Sequence, residues 1–409
     1  MTDRTTCVIV GGGPAGMIAG LVLARAGVEV TVLEKHGDFL RDFRGDTVHP
    51  TTLGLLDELG LFEEFDAIPH ARIRRLVVPA RDGRPVTVAE FDRLDLPHPY
   101  VALAPQWDFL ELLARAGAVE PTFRLLRNAE FTELVREGDR IAGVLYHTPA
   151  GERELLADLT IAADGRWSRA REQSGLPLTE YRVPIDIWWF RVDSEQSVGE
   201  SLLPGSGGGR VFVAIPRTGY VQMGCIIPKG ADARLRAEGI DGLRTAVAAA
   251  FPAAAEAASR LTWEDVKLLD IRLNRLRTWH REGLLCIGDA AHAMSPVGGV
   301  GVNLAVQDGV AAASLLARPL LDRSVTSRAL AAVQRRRAPA AASTQRLQRI
   351  MHRIVGRIVA EQGAVEVPAP VAQLLRAAPR LRSVIAKRLA VGRRPEHAPD
   401  FARRPGGLS

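Results

Sequence analysis

The chain carries only three cysteines, Cys7, Cys225 and Cys286, among 409 residues. Their odd number and wide spacing exclude a zinc knuckle and a CxxC redox pair. Each lies in an apolar run and reads as a small buried hydrophobe. Reduced thiols, with no signal peptide at the N-terminus, point to the cytoplasm. No apolar run reaches the ~18–20 residues that a bilayer crossing requires. The N-terminal run is broken by Gly11-Gly12-Gly13-Pro14. There is no internal repeat, no low-complexity linker, no Ser-His-Asp constellation and no metal-ligand cluster.

What the chain has is apolar bulk. Hydrophobic residues make up 47%, enough for substantial cores, and the length favours two domains. The net charge of +6 is unevenly spread. Residues 1–330 mix both signs, whereas Arg346–Arg394 holds eleven Lys/Arg against Glu361 and Glu366. The excess sits in a tail, so no nucleic-acid footprint marks the body. Within that tail Leu347, Ile350, Ile354 and Ile358 recur at helical spacing with arginines between them. The reading is a helix packed on its own body with a solvated basic face; contact with a membrane surface is the sharper alternative.

Cys7–Val10 reads as a strand buried on both faces, Met17–Ala26 as a helix closed by Gly27, and Val28–Leu33 as a second buried strand. Between the first strand and the helix lies Gly11-Gly12-Gly13-Pro14-Ala15-Gly16, and Glu34 follows the second strand. This is the full context that G-x-G-x-x-G requires. Gly11 permits the tight turn, Gly13 lets a diphosphate approach the backbone, and Gly16 allows close helix–sheet packing. Pro14 and Ala15 open the helix whose positive end faces the diphosphate. Glu34, with Lys35 beside it, is placed for an adenosine ribose.

A second segment separates FAD from NAD. Leu284–Ile287 is an apolar strand that ends at Gly288-Asp289 and is followed by His292, Pro296 and Gly298-Gly299-Val300-Gly301-Val302-Asn303, which opens a helix. Asp289 is placed for the ribityl hydroxyls of a flavin. Backbone N–H groups of Gly299–Asn303 face the pyrimidine end of the ring, where they stabilise negative charge on reduction. The third segment is Asp164-Gly165-Arg166-Trp167-Ser168-Arg169-Ala170-Arg171, a tight turn after the buried strand Leu159–Ala163.

Together these segments resemble the class A flavoprotein monooxygenases, the para-hydroxybenzoate hydroxylase family, whose D-G-x-x-S-x-x-R pattern Asp164–Arg171 matches without gaps. The resemblance covers roughly residues 7–340. It implies an α/β chain: a Rossmann-type, glutathione reductase-like FAD-binding domain, an inserted antiparallel β-sheet substrate domain and a C-terminal helical segment. The domains are expected as 1–71, 102–178 and 268–340 for FAD, 72–101 and 179–267 for substrate, and 341–409 for the helical region. The resemblance also implies that Asp164 and Arg171 serve FAD and the pyridine nucleotide, that Arg44 lies near the ribityl and diphosphate, and that Pro296 lies beside the ring. Gln106 stands where many members carry arginine, which leaves one cation fewer near the flavin.

The implied reaction uses NAD(P)H and O2 to hydroxylate an aromatic or polyketide-like molecule through a C4a-hydroperoxyflavin. No second glycine fingerprint is present, which fits a nucleotide bound transiently. His292 is read as a group for proton transfer or for orienting a phenol, with His49 as its more structural counterpart. Trp188, Phe190, Tyr220 and Gln222 are expected to line the substrate pocket, although the alternation of the strand equally permits Trp189 and Arg191 to point inward. Ser201–Gly209 reads as a mobile loop. Two alternatives share the fold: an FAD-dependent reductase of a prenyl-chain or other unsaturated substrate, and a non-catalytic flavin-binding partner. The halogenase signature W-x-W-x-I-P is absent. The expected state is monomer or homodimer.

Overall fold

The computed structural model describes residues 3–40, 47–193, 203–217, 219–361 and 363–404. Its centre is a parallel sheet. Strand β1 (Asp3–Val10) lies between β2 (Val30–Glu34) and β3 (Gly151–Ala162), with Phe123–Arg127 beyond β2 and Leu284–Cys286 beyond β3, all parallel. Every residue of β2 is buried, as are Cys7–Val10. That explains why these strands read as continuous apolar runs rather than alternating ones. Glu130–Glu137 and Arg140–Thr148 extend β3 as an antiparallel flap.

Helix α1 (Pro14–Arg25) begins with Pro14 at its first position, after Gly13, and is buried from Ala15 to Arg25. It is sandwiched between the sheet and helix α2 (Gly301–Leu321). The two helices approach at backbone distance because α2 presents a glycine: a Cβ on Gly309 would fall 2.6 Å from the Ala15 carbonyl oxygen. Helix α2 is also the one described helix long and apolar enough to cross a membrane, and 67% of its most apolar window is buried inside the protein.

A second, five-stranded sheet holds β4 (Ile185–Asp193), β5 (Leu203–Gly207), β6 (Arg210–Arg217) and β7 (Tyr220–Pro228), in the order β5-β6-β7-β4 with Lys267–Leu269 beyond β4. Strand β5 corrects the loop reading over its described part. Gly205 and Gly207 are there because a helix covers them: added Cβ atoms would lie 2.6 Å from the Phe251 ring and 2.5 Å from the Ala246 carbonyl oxygen. The β5–β6 turn runs through Gly208 and Gly209, both at positive φ, as a tight hairpin needs.

The segment 72–101 stands outside this sheet. Val101–Leu103 pairs with Ala71–Ile73 on one side and with Thr47–Val48 on the other, while Arg75–Val78 and Val86–Glu90 form a hairpin. Ile73, Val101 and Leu103 pack with Trp189, Val213 and Ile215. The expected boundary at 340/341 falls within one continuous helix, α3 (Ser327–Ala360), which runs through Pro339. The chain end returns to the first domain, where the Ala402 carbonyl accepts from the buried Arg25 guanidinium at 2.9 Å.

The α1–α2 contact yields a test. Gly309→Ala drives a methyl group into the α1 backbone, and the expected loss is about 1–3 kcal/mol of stability, read from the urea midpoint. An unchanged midpoint would show that the helices are not in backbone contact.

Candidate functional site

The three motif segments, far apart in sequence, touch one another. A Cβ on Gly11 would lie 2.5 Å from the Ala163 carbonyl oxygen and 2.9 Å from Asp164 Cα, so the glycine loop rests on the Asp164 turn. A Cβ on Gly288 would lie 3.0 Å from Ala15 Cβ and 3.5 Å from Ala305 Cβ, so the Gly288-Asp289 segment rests on the start of α1. Arg171 ties the remaining pair, donating to the carbonyls of Asp289 (3.4 Å), Ala290 (3.2 Å) and Arg166 (2.9 Å). The three contacts leave one groove floored by backbone.

That groove suits a dinucleotide. An added Cβ on Gly13 would meet nothing within 4 Å, so the loop is open above it. Neither α1 nor α2 has a side-chain cap or an acidic residue in its first turn. Both helix starts thus keep the electropositive character that favours a diphosphate or an electron-rich ring. Glu34 is buried at the end of β2 and accepts from the amides of Gly12 (3.1 Å) and His36 (3.0 Å), which fixes its carboxylate at the loop; Lys35 beside it is exposed. Gln106 heads the helix Gln106–Ala118. Arg44 lies outside the described residues.

Asp164 and Arg171 spend their side chains on the protein. Asp164 accepts from the Ser168 hydroxyl at 2.5 Å and the Ala170 amide at 3.2 Å, and Ser168 caps the short helix Arg169–Ser174. Burial pushes the Asp164 carboxyl up, against the pull of these donors. Arg171 is 8% exposed and spends its guanidinium on carbonyls. The residue of this motif that faces Asp289 is Arg166, whose Nε stands 3.8 Å from the Asp289 carboxylate. It occupies a variable position of the pattern, so the motif gave no signal for it.

His292 requires correction. It is 1% exposed, and its Nε2 meets the equally buried Asp308 carboxylate at 2.5 Å, behind the groove. The same carboxylate accepts from the Gly288 amide (3.1 Å) and from Arg337 Nε (2.9 Å). Burial raises the Asp308 pKa, but the His292 and Arg337 charges outweigh it and hold the group below the ordinary carboxylate range. A side chain so enclosed positions the Gly288-Asp289 backbone rather than touching substrate.

Pro296 is half-buried and starts a turn in which the Gly299 amide donates to its carbonyl at 2.9 Å. Gly298 (φ +87°) and Gly299 (φ +62°) take the left-handed backbone that this turn demands. The turn is braced from three sides. His49 Nε2 donates to the Gly299 carbonyl (3.0 Å). Gln348 of α3 accepts from the Ser295 amide and donates to the Ser295 and Val297 carbonyls, and His352 meets the Ser295 hydroxyl at 2.7 Å. Asn303 accepts from Thr51 and Thr52, locking the first turn of α2, where Gly301 and Val302 also lie. Gln348 and His352 escaped sequence reading because no local pattern links them to Pro296.

The inserted sheet shows which strand face its helices cover. Trp188 and Phe190 are fully buried with Phe212, Cys225 and Val247 beneath the covering helices, and Trp188 bonds Asp232 at 2.6 Å. They are core residues, which corrects their expected pocket role. Trp189 takes the opposite face, lying over Gly224, whose added Cβ would come within 2.9 Å of the indole. Gln222 shares that face and accepts from Arg217, which donates onward to the Leu103 carbonyl at 2.8 Å. Tyr220 lies at the sheet's end under the Arg191 guanidinium, 4.3 Å from its ring centroid.

Comparisons with known proteins agree with this geometry. Residues 4–347 match the family described as "FAD binding domain". The chain is 33% identical over 402 residues to a 6-methylpretetramide 4-monooxygenase of Streptomyces rimosus, covering 95% of this chain and 93% of that one. It is 29% identical to a kynurenine 3-monooxygenase of Salinispora arenicola, covering 75% and 71%. Among solved structures, P. aeruginosa PqsL in complex with 2-aminobenzoylacetate shares the fold with a TM-score of 0.75 at 21% identity, covering 88% of this chain and 99% of that one.

His49 makes the site's frame sensitive to acid. Burial, opposed by the carbonyls of Gly299, Ala390 and Leu389, holds its pKa at about 4 against an ordinary 6.5. Between those values the unfolded chain binds more protons, so stability falls as pH drops from 6.5 towards 4 and is level above. His352 and His280, also lowered by burial, act in the same direction. His49→Gln keeps a donor for Gly299 and removes one titration. The loss in unfolding free energy between pH 7.5 and pH 4.5 should shrink by about 2 kcal/mol. Equal losses in variant and parent would contradict this.

Proposed function

The chain belongs to the FAD-binding-domain family and is an FAD-dependent monooxygenase, and on that premise we propose that it hydroxylates an aromatic, polyketide-like polycycle with NAD(P)H and O2 as cosubstrates. The observation that carries this is the convergence of the glycine loop, the Asp164 turn and the Gly288-Asp289 segment on one groove, with the Pro296 turn braced a few residues on. Similarity to the 6-methylpretetramide enzyme over nearly the whole chain supports the substrate class.

In this reading the α1 amides and Glu34 hold the adenosine diphosphate, while Asp289, with Arg166 at its flank, holds the ribityl end. The positive start of α2 would stabilise negative charge on the cofactor's ring once it is reduced. Bound FAD supplies reversible two-electron storage and the activation of dioxygen. The protein supplies position and dryness. Trp189 offers an aromatic wall, and Gln222, fixed by Arg217, offers a polar group that can orient a phenol or ketone. Three buried cysteines with no partner among the described residues support placement in the reducing cytoplasm.

The test is NAD(P)H consumption by purified, FAD-loaded protein. It should depend on O2 and rise at least tenfold with a polycyclic phenol, and Trp189→Ala should raise KM more than it lowers kcat. Flavin that neither nucleotide reduces, or full turnover under anaerobic conditions, would overturn the reading.

A further inference from the structure

Several arginines elsewhere in the molecule are matched by acids. Arg336 and Arg337 share Glu396, Arg272 meets Glu180, and Arg376 meets Asp82. A cavity beside α3 departs from this pattern. It lies between α3, the strand pair Leu178–Tyr181 and Leu273–Leu276, and the segment after the last long helix, with a volume of about 320 Å³. Arg275, Arg346, Arg349 and Arg393 line it, and no carboxylate does. Among the described residues none of the four forms an ion pair.

The cavity is built rather than incidental. The guanidinium carbons of Arg349 and Arg275 lie 4.9 Å and 5.9 Å from the centroid of one ring, Tyr181. Arg275 is fixed by donating to the Tyr181 hydroxyl (3.2 Å) and to Gln345 Oε1 (3.3 Å). Gln345 is 1% exposed and is itself held, donating to the Asn274 carbonyl at 2.7 Å and the Ala293 carbonyl at 3.2 Å. The floor is thus a buried amide with one anchored guanidinium, and the three exposed arginines close over it.

Four like charges converging without a counter-charge repel one another, and the repulsion is relieved by a bound anion. Planar guanidinium forks match phosphate oxygens in pairs, which a halide cannot use. We propose that this pocket binds a phosphate-bearing small molecule, with Arg275 and Gln345 as the fixed floor and Arg346, Arg349 and Arg393 as the closing cations. The site is separate from the FAD groove and holds whatever the oxygenated substrate proves to be.

The probe is inorganic pyrophosphate, titrated calorimetrically into FAD-saturated protein at constant ionic strength, so that the glycine loop is already filled. One saturable site is expected. Arg346→Glu/Arg349→Glu, two exposed changes on α3, should weaken binding at least tenfold with an unchanged melting temperature and FAD content. Arg393→Gln, on a different element, should weaken it as well. ADP supplies the second arm: tighter binding than pyrophosphate assigns the ligand to nucleotides with the base on Tyr181, and equal binding assigns it to the phosphate groups alone. No saturable heat, or the same affinity in the α3 double variant, would overturn the proposal.

Discussion

One buried carboxylate holds the architecture of the site together. Asp308, on α2 and shut off from water, accepts from the Gly288 amide, from His292 and from Arg337. Taking a carboxylate out of water is costly, and here the Arg337 guanidinium, the His292 ring and an oriented amide offset the cost. Arg337 in turn meets Glu396, which also meets Arg336. A single chain of charges therefore fixes the end of strand Leu284–Cys286 to α2, to α3 and to the C-terminal tail. Asp289 projects into the groove from a backbone that cannot shift without disturbing all four.

The remaining contacts work in the same manner, by gripping backbone. Arg171 reaches three carbonyls, Gln348 holds both sides of Ser295, and His49 holds Gly299. Glycines let the elements close up, Gly309 against Ala15 and Gly11 against Ala163. A groove framed in this way presents amides and helix ends in fixed positions and leaves few side chains to do chemistry. That suits an enzyme whose reactive centre is its cofactor.

Sequence reading found the parts that are written consecutively. The glycine loop, the Gly288-Asp289 segment and the Asp164–Arg171 pattern each carry their context within some thirty consecutive residues, and the structure brings all three to one groove. It faltered where the deciding partner lies far along the chain. Strand alternation showed that Trp188 and Trp189 face opposite ways but could not say which face the helices 232–259 would cover. His292 is three residues from Asp289 in sequence, yet the turn at Gly288–Ala290 sends it back into the core. The glycines of β5 looked like a loop because their packing partners, Phe251 and Ala246, lie some forty residues on. Gln348 and His352 act on Ser295 from more than fifty residues away.

The central claim is that the Asp308 network holds the Gly288-Asp289 segment ready for FAD. It is tested most directly by the FAD dissociation constant of Asp308→Asn apo-protein, measured by flavin fluorescence beside the parent, with circular dichroism confirming that both are folded. The account predicts one FAD per chain in the parent and at least a tenfold weaker affinity in the variant. A folded variant that binds FAD as tightly as the parent would contradict it.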